Sequence, residues 1–99
     1  MLNITKDLNG TELSFALEGR LDTVTAPQLE SEVKSSVDGV DKMVVDCAKL
    51  EYISSAGLRV LLLAQKIMNE KGSLVVRNVS EEVMEIFEVT GFVDILTIE

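Results

Sequence analysis

The chain has no histidine and no tryptophan, and a single cysteine and a single proline among its 99 residues. Without histidine, the Ser-His and Cys-His pairs that activate a nucleophile near neutral pH cannot be built, and without paired cysteines as well the usual zinc ligand sets are not expected. The lone Cys47 cannot close an internal disulfide, which fits a reducing cytoplasm. It follows Val45-Asp46 beside an apolar run, so packing suits it better than redox chemistry. Gly10, Gly19, Gly39, Gly57, Gly72 and Gly91 stand singly, so no glycine-rich phosphate loop is present. Positive charge is scarce: 9 Lys and Arg face 17 Asp and Glu, for a net charge of −8. That balance argues against nucleic acid and anionic membrane as partners, because both reward basic patches. It leaves a soluble protein or a small ligand open. No apolar run approaches a membrane span, and the start, MLNITKD, lacks the basic and apolar regions of a signal peptide. An enzyme would have to work with carboxylates such as Asp22 and Asp46, and nothing orients a nucleophile beside them. No cofactor and no metal is expected.

What is present is an aliphatic chain, 46% apolar with only 4% aromatic residues, of a length that suits one domain over residues 1–99. Leu2 and Ile4 alternate with Asn3 and Thr5, and Asn9-Gly10 is a tight-turn dipeptide. Leu13, Phe15 and Leu17 then alternate with Glu12, Ser14 and Ala16, which predicts a hairpin closed by Gly19. The loop Gly19-Arg20-Leu21-Asp22-Thr23 leads to a first helix, for which Thr25-Ala26-Pro27-Gln28 has capping-box spacing. Leu29, Val33 and Val37 give its apolar stripe, and Asp38-Gly39 stops it. On these grounds Asp22 reads as a residue that caps or solvates its loop. Lys42 to Cys47 is a nearly continuous apolar strand. Ser73 to Val79 predicts another, and Ser80 caps a third helix with Val83, Ile86, Phe87 and Thr90 on one face. Glu81 and Glu82 in its first turn suit the helix dipole. Gly91 ends it, and Phe92 to Ile98 reads as a last strand. The predicted fold is α/β, a mixed sheet with crossover helices in the order β-β-α-β-α-β-α-β.

The centre of this plan is the stretch from Asp46 to Gly72. Ser54-Ser55 precede a helical pattern, where a hydroxyl can accept from an orphan backbone N–H. Gly57 follows at once and permits a close approach at that turn. Lys71-Gly72 ends the helix. At 100° per residue, Ala56, Val60, Leu61, Ala64, Ile67 and Met68 form the core face. Arg59, Gln65, Lys66, Asn69 and Glu70 form the opposite face. Leu58 and Leu62 fall within that polar arc, on the side of Ser55. Either a neighbouring element covers them, or they form a partner-binding patch with a serine at its edge.

Gly19-Arg20-Leu21-Asp22, the strand Val44-Val45-Asp46, and Tyr52-Ile53-Ser54-Ser55-Ala56-Gly57-Leu58 resemble the bacterial anti-sigma factor antagonists, founding members of the STAS domains. The resemblance spans nearly the whole chain. It implies a cytoplasmic partner-switching regulator of transcription. In such a system the unphosphorylated antagonist binds an anti-sigma factor that is also a serine kinase, and the sigma factor is released. The kinase then phosphorylates the serine at the start of the second helix, the complex parts, and a PP2C-type phosphatase resets it. The matching phosphoacceptor is Ser55, with Ser54 as the alternative. Asp22 matches the family's loop aspartate, tied to phosphorylation and partner contact. The implied partner surface comprises Asp22, Ser54, Ser55, Gly57, Leu58 and Leu62.

Two departures from the family pattern stand out. Ser54 occupies a position where the family often has aspartate. The chain also ends shortly after its last strand, where many relatives add a helix, so an apolar flank is expected to be exposed or covered by a partner. The alternative function is a STAS module without a switch. It would bind a small ligand or lipid, or serve a transport or sensory complex, with both serines acting only as caps.

Overall fold

Strand β1 (Leu2–Asn9) and strand β2 (Glu12–Leu21) form the expected antiparallel hairpin, as a computed structural model of all 99 residues describes it. Asn9 pairs with Glu12, so the two-residue loop is Gly10-Thr11 rather than Asn9-Gly10, and Gly10 supplies the positive φ of 65°. Helix α1 (Ala26–Ser36) crosses to strand β3 (Lys42–Ile53), and helix α2 (Ser55–Lys71) crosses to strand β4 (Ser73–Arg77). Helix α3 (Glu81–Thr90) follows. The sheet order is β1-β2-β3-β4, with β2, β3 and β4 mutually parallel. The α/β class and mixed sheet are as expected from the alternation of patterns.

The alternating strand residues explain where the core sits. Leu13, Phe15 and Leu17 of β2, Met43 and Val45 of β3, and Leu74 and Val76 of β4 share one face of the pleat and are buried. Leu29 and Val33 of α1, Val60, Leu61, Ala64 and Met68 of α2, and Val83 and Phe87 of α3 join them in one contiguous cluster. The opposite sheet face presents Ser14, Ala16, Asp46 and Arg77, with Val44 and Val75 buried in its middle but outside the main cluster.

Four local expectations are corrected. Gly19 does not close β2. The strand continues through it to Leu21, because a φ of 105° lets the chain pass the Met1 backbone, whose carbonyl accepts from Arg20 N–H at 3.2 Å. Strand β3 does not end at Cys47 but runs to Ile53. Two register shifts against β2 each insert one extra β3 residue, so Cys47, Leu50 and Ile53 all point inward at three-residue spacing. Strand β4 stops at Arg77, before Asn78, a non-glycine residue at φ 58°. The last predicted strand is absent: Phe92–Asp94 is a 3₁₀ turn, and Ile98 makes only an isolated parallel bridge to Val76. Gly91 at φ 82° throws the chain into that turn, where Ile95 and Leu96 N–H groups both donate to the Phe92 carbonyl. The elements therefore run β-β-α-β-α-β-α.

Candidate functional site at the carboxyl ends of β2 and β3

The parallel strands β2 and β3 end side by side, with Arg20 opposite Tyr52 and Leu21 opposite Ile53. Each then feeds a helix. In parallel sheets the carboxyl ends of the strands are where loops and helix starts converge. Here the two connections are tied together, since Ser54 N–H donates to the Leu21 carbonyl at 2.9 Å.

Asp22 organises the first connection. Its Oδ1 accepts from the N–H groups of Val24 at 3.0 Å and Thr25 at 3.1 Å. Its own N–H donates to Thr25 Oγ1 at 2.9 Å, and that hydroxyl donates to the Arg20 carbonyl at 2.8 Å. The Asp22 carbonyl accepts from Ala26 N–H at 2.8 Å. The capping box expected from Thr25 and Gln28 is therefore not formed. Thr25 has helical backbone angles and no side-chain cap bond, and Gln28 reaches away to the Leu2 carbonyl at 3.3 Å. Asp22, four residues before the helix starts, takes the Thr25 N–H instead, and the Gln28 N–H donates to the Thr25 carbonyl at 3.0 Å. The Thr25 N–H, more than any other contact, holds the Asp22 carboxyl below its usual pKa, and partial desolvation opposes it. Asp22 Oδ2 lies 3.9 Å from Arg20 Nε, and the Arg20 guanidinium sits 4.4 Å from the centroid of the Tyr52 ring.

The serine pair divides in role. Ser54 is the N-cap of α2: its backbone is extended, at φ −96° and ψ 176°, and its Oγ accepts from Gly57 N–H at 3.4 Å. Its carbonyl accepts from Leu58 N–H at 2.9 Å. Ser54 is half-buried. Ser55 is the first helical residue, is exposed, and has no side-chain hydrogen bond.

The remaining sequence-predicted partner residues are not all at the surface. Gly57 is buried, and a Cβ there would lie 2.7 Å from Leu21 Cγ and 2.8 Å from Ile53 Cγ1, so its small size serves the seating of α2 on the strand ends. Leu58 is 4% exposed and belongs to the core cluster, which removes it from the exposed patch expected for it. Gln65, seven residues on and on the same helix flank, is 7% exposed, where a wet position was expected. The apolar stripe of α2 is thus wider on this side than the polar residues suggest. Gln65 Nε2 donates to Asn69 Oδ1 at 2.8 Å, while its Oε1 is buried without a partner. Leu62 lies half-buried between this flank and the exposed Ser55, Arg59 and Lys66.

Two features were missed from the sequence. Val24, between Asp22 and α1, is 85% exposed and stands at the edge of the site. An apolar residue in a loop, outside any periodic stripe, was the available signal. Arg59 borders an open groove of about 450 Å³ between the starts of the two helices, lined also by Thr23, Ala26, Pro27, Ala56 and Val60. No group of three His, Cys, Asp or Glu residues is arranged to hold a metal ion, and no helix is long and apolar enough to cross a membrane.

Known proteins resemble this chain in sequence and in fold. The chain is 38% identical over 98% of its length to BtrV of Bordetella bronchiseptica, which carries the provisional name of anti-sigma factor antagonist; the match covers 85% of that protein. It is 31% identical over 98% of its length to the anti-sigma-B factor antagonist of Bacillus subtilis, covering 90% of it. The backbone superposes on the Bacillus cell fate determinant SpoIIAA in its phosphorylated form with a TM-score of 0.77 at 15% identity, over 98% of this chain and 91% of that one. The unphosphorylated SpoIIAA structure aligns with a TM-score of 0.76 at 14% identity, over 100% and 87% of the two chains. The STAS domain family model matches residues 3–99, and the chain belongs to the STAS domain family.

Proposed function

We propose that this protein is an anti-sigma factor antagonist that works by partner switching, with Ser55 as the phosphoacceptor. The observation that carries the reading is the division of labour in the serine pair: Ser54 is committed to capping α2, while the Ser55 hydroxyl is exposed and unbonded. A kinase needs a hydroxyl that it can surround, and freeing Ser55 costs the fold no hydrogen bond. Relatives named anti-sigma factor antagonists, and a structural neighbour known in phosphorylated and unphosphorylated forms, support the same reading.

In this reading the unphosphorylated protein docks on an anti-sigma factor serine kinase through the surface formed by Ser55, Leu62, Val24 and the Asp22 loop. The sigma factor is then free. Phosphate at Ser55 adds about −1.5 to −2 charge to a chain whose net charge is already −8. A dianion in the middle of the contact surface must be desolvated on docking, so it disfavours the complex. It sits at the start of α2, where free N–H groups and the helix dipole tolerate an anion, so the domain itself stays folded. A PP2C-type phosphatase returns the protein to its binding form, and the cycle runs in the cytoplasm. The protein performs no catalysis of its own.

The test is to incubate the protein with ATP and cytoplasmic lysate fractions, then locate phosphate by peptide mass spectrometry. Phosphate on Ser55, lost in Ser55→Ala and kept in Ser54→Ala, is expected. Labelling at Ser54 alone, or at neither serine, overturns the assignment.

A further inference from the structure

We propose that the phosphate on Ser55 is held by Arg59, the exposed arginine one turn further along α2. This rests on the reading of Ser55 as the phosphoacceptor and names the group that receives the modification. Residues four apart on a helix are surface neighbours, with Cβ atoms about 5–6 Å apart. Long side chains on a helix lean toward its N-terminus, which puts the turn that contains Ser55 within reach of the Arg59 guanidinium.

Arg59 is also uncommitted. The ion pairs of the protein involve Lys6, Arg20, Lys34, Lys42 and Arg77, and none involves Arg59. Two nearby carboxylates already have partners. Across the groove, Glu30 of α1 is bonded to Lys34 at 2.8 Å, and Asp22 is engaged by backbone N–H groups and lies near Arg20. Arg20 itself is stacked on Tyr52. A planar guanidinium with several donors fits two oxygens of a phosphate at once, which an ammonium does not. The match is specific to Ser55. Ser54 is five residues from Arg59, about 140° away around the helix axis, and half-buried. The consequence for regulation is that the phosphorylated protein carries an ordered phosphate with part of its charge countered, still net negative and bulky at the contact surface.

The test installs phosphoserine at position 55 of the intact chain during translation, so the result does not depend on any kinase. The phosphate is then titrated by ³¹P NMR, with folding checked by circular dichroism. Its second pKa, ordinarily about 6, is expected to be higher by about half a unit in Arg59→Ala than in the parent phosphoprotein. Arg59→Lys should recover part of that shift, and added salt should shrink the difference. As an independent reading, the Arg59 Nε–H resonance should move on phosphorylation at 55 and stay in place with phosphoserine at 54. The same titration curve in the parent and Arg59→Ala phosphoproteins overturns the proposal. So does an equal shift from Lys66→Ala, which would mean that only general surface charge is being felt. Absence of kinase labelling at Ser55 would sink the parent reading, but it leaves these titration outcomes as they are.

Discussion

Ser54 N–H donates to the Leu21 carbonyl at 2.9 Å, and that bond fastens the loop carrying Asp22 to the serine pair at the head of α2. It is reinforced by Gly57, whose missing side chain lets Leu21 and Ile53 pack directly beneath the first turn. A loop held this way presents Ser55 in a fixed place with little freedom of its own. The site is therefore a product of strand register: Leu21 faces Ile53 only because β3 carries two extra residues relative to β2.

Gly57→Ala should damage this junction. The new Cβ would meet Leu21 Cγ at 2.7 Å and Ile53 Cγ1 at 2.8 Å. Overpacking of this kind costs about 1–3 kcal/mol, measurable as a lower denaturant midpoint with an unchanged slope.

Leu58 and Leu62 should behave differently from one another. Leu58 is buried in the core, so Leu58→Ala should lose about 2–4 kcal/mol, and Leu58→Glu should leave the domain largely unfolded. Leu62 is half-buried at the margin of the exposed face, so Leu62→Glu should remain folded in circular dichroism while weakening capture of the partner kinase. Equal loss of structure in the two glutamate variants would place Leu62 in the core as well.

Asp22 should contribute to stability through its loop bonds. Because its folded pKa is lowered, the unfolded chain takes up the proton first as pH falls. The contribution is thus present at neutral pH and is lost as pH drops through the lowered value. Urea midpoints measured along an acid series should fall less steeply in Asp22→Asn than in the parent, and start lower at neutral pH. Superimposed curves for the two proteins would contradict this.

Cys47 should be chemically silent in the folded protein. Burial, with the neighbouring Asp46 charge, pushes its thiol up to about 12 from an ordinary 9.0. Thiol reagents should label it at neutral pH only on unfolding. The raised value means that the folded state retains the proton longer, so stability should decline as pH climbs from about 9 toward 12. Rapid labelling of the native protein would show the burial to be wrong.

Much of the fold was legible because its signals are local. The hairpin alternation, the Ser80 cap and Gly91 stop of α3, and the span of α2 from the serine pair to Lys71 all appear as expected. The second half of β3 was hidden by its bulges: Cys47, Leu50 and Ile53 recur every three residues, a spacing that belongs to neither a regular strand nor a helix. Phe92 to Ile98 has strand-like composition, but Gly91 sends the chain into a locally bonded 3₁₀ turn, after which only Leu96 is buried and only Ile98 bridges to Val76. At the site, the choice between a covered and an exposed Leu58 depended on how far the core wraps around α2, which helical periodicity alone does not determine. Thr25 matched a capping pattern, yet Asp22 won because its carboxylate reaches the backbone donors ahead of the helix.

The most direct test of the account is ATP-dependent release. The protein is bound to the immobilised anti-sigma factor kinase proposed as its partner, ATP is added, and the fraction released is followed for the parent, Ser54→Ala and Ser55→Ala. The account predicts that all three bind. The parent and Ser54→Ala then leave the kinase on addition of ATP, whereas Ser55→Ala stays bound. Ser54→Ala should be less stable by about 0.5–2 kcal/mol through loss of the cap, and Ser55→Ala within about 0.5 kcal/mol of the parent. Release of Ser55→Ala by ATP at the parent's rate would contradict the central claim.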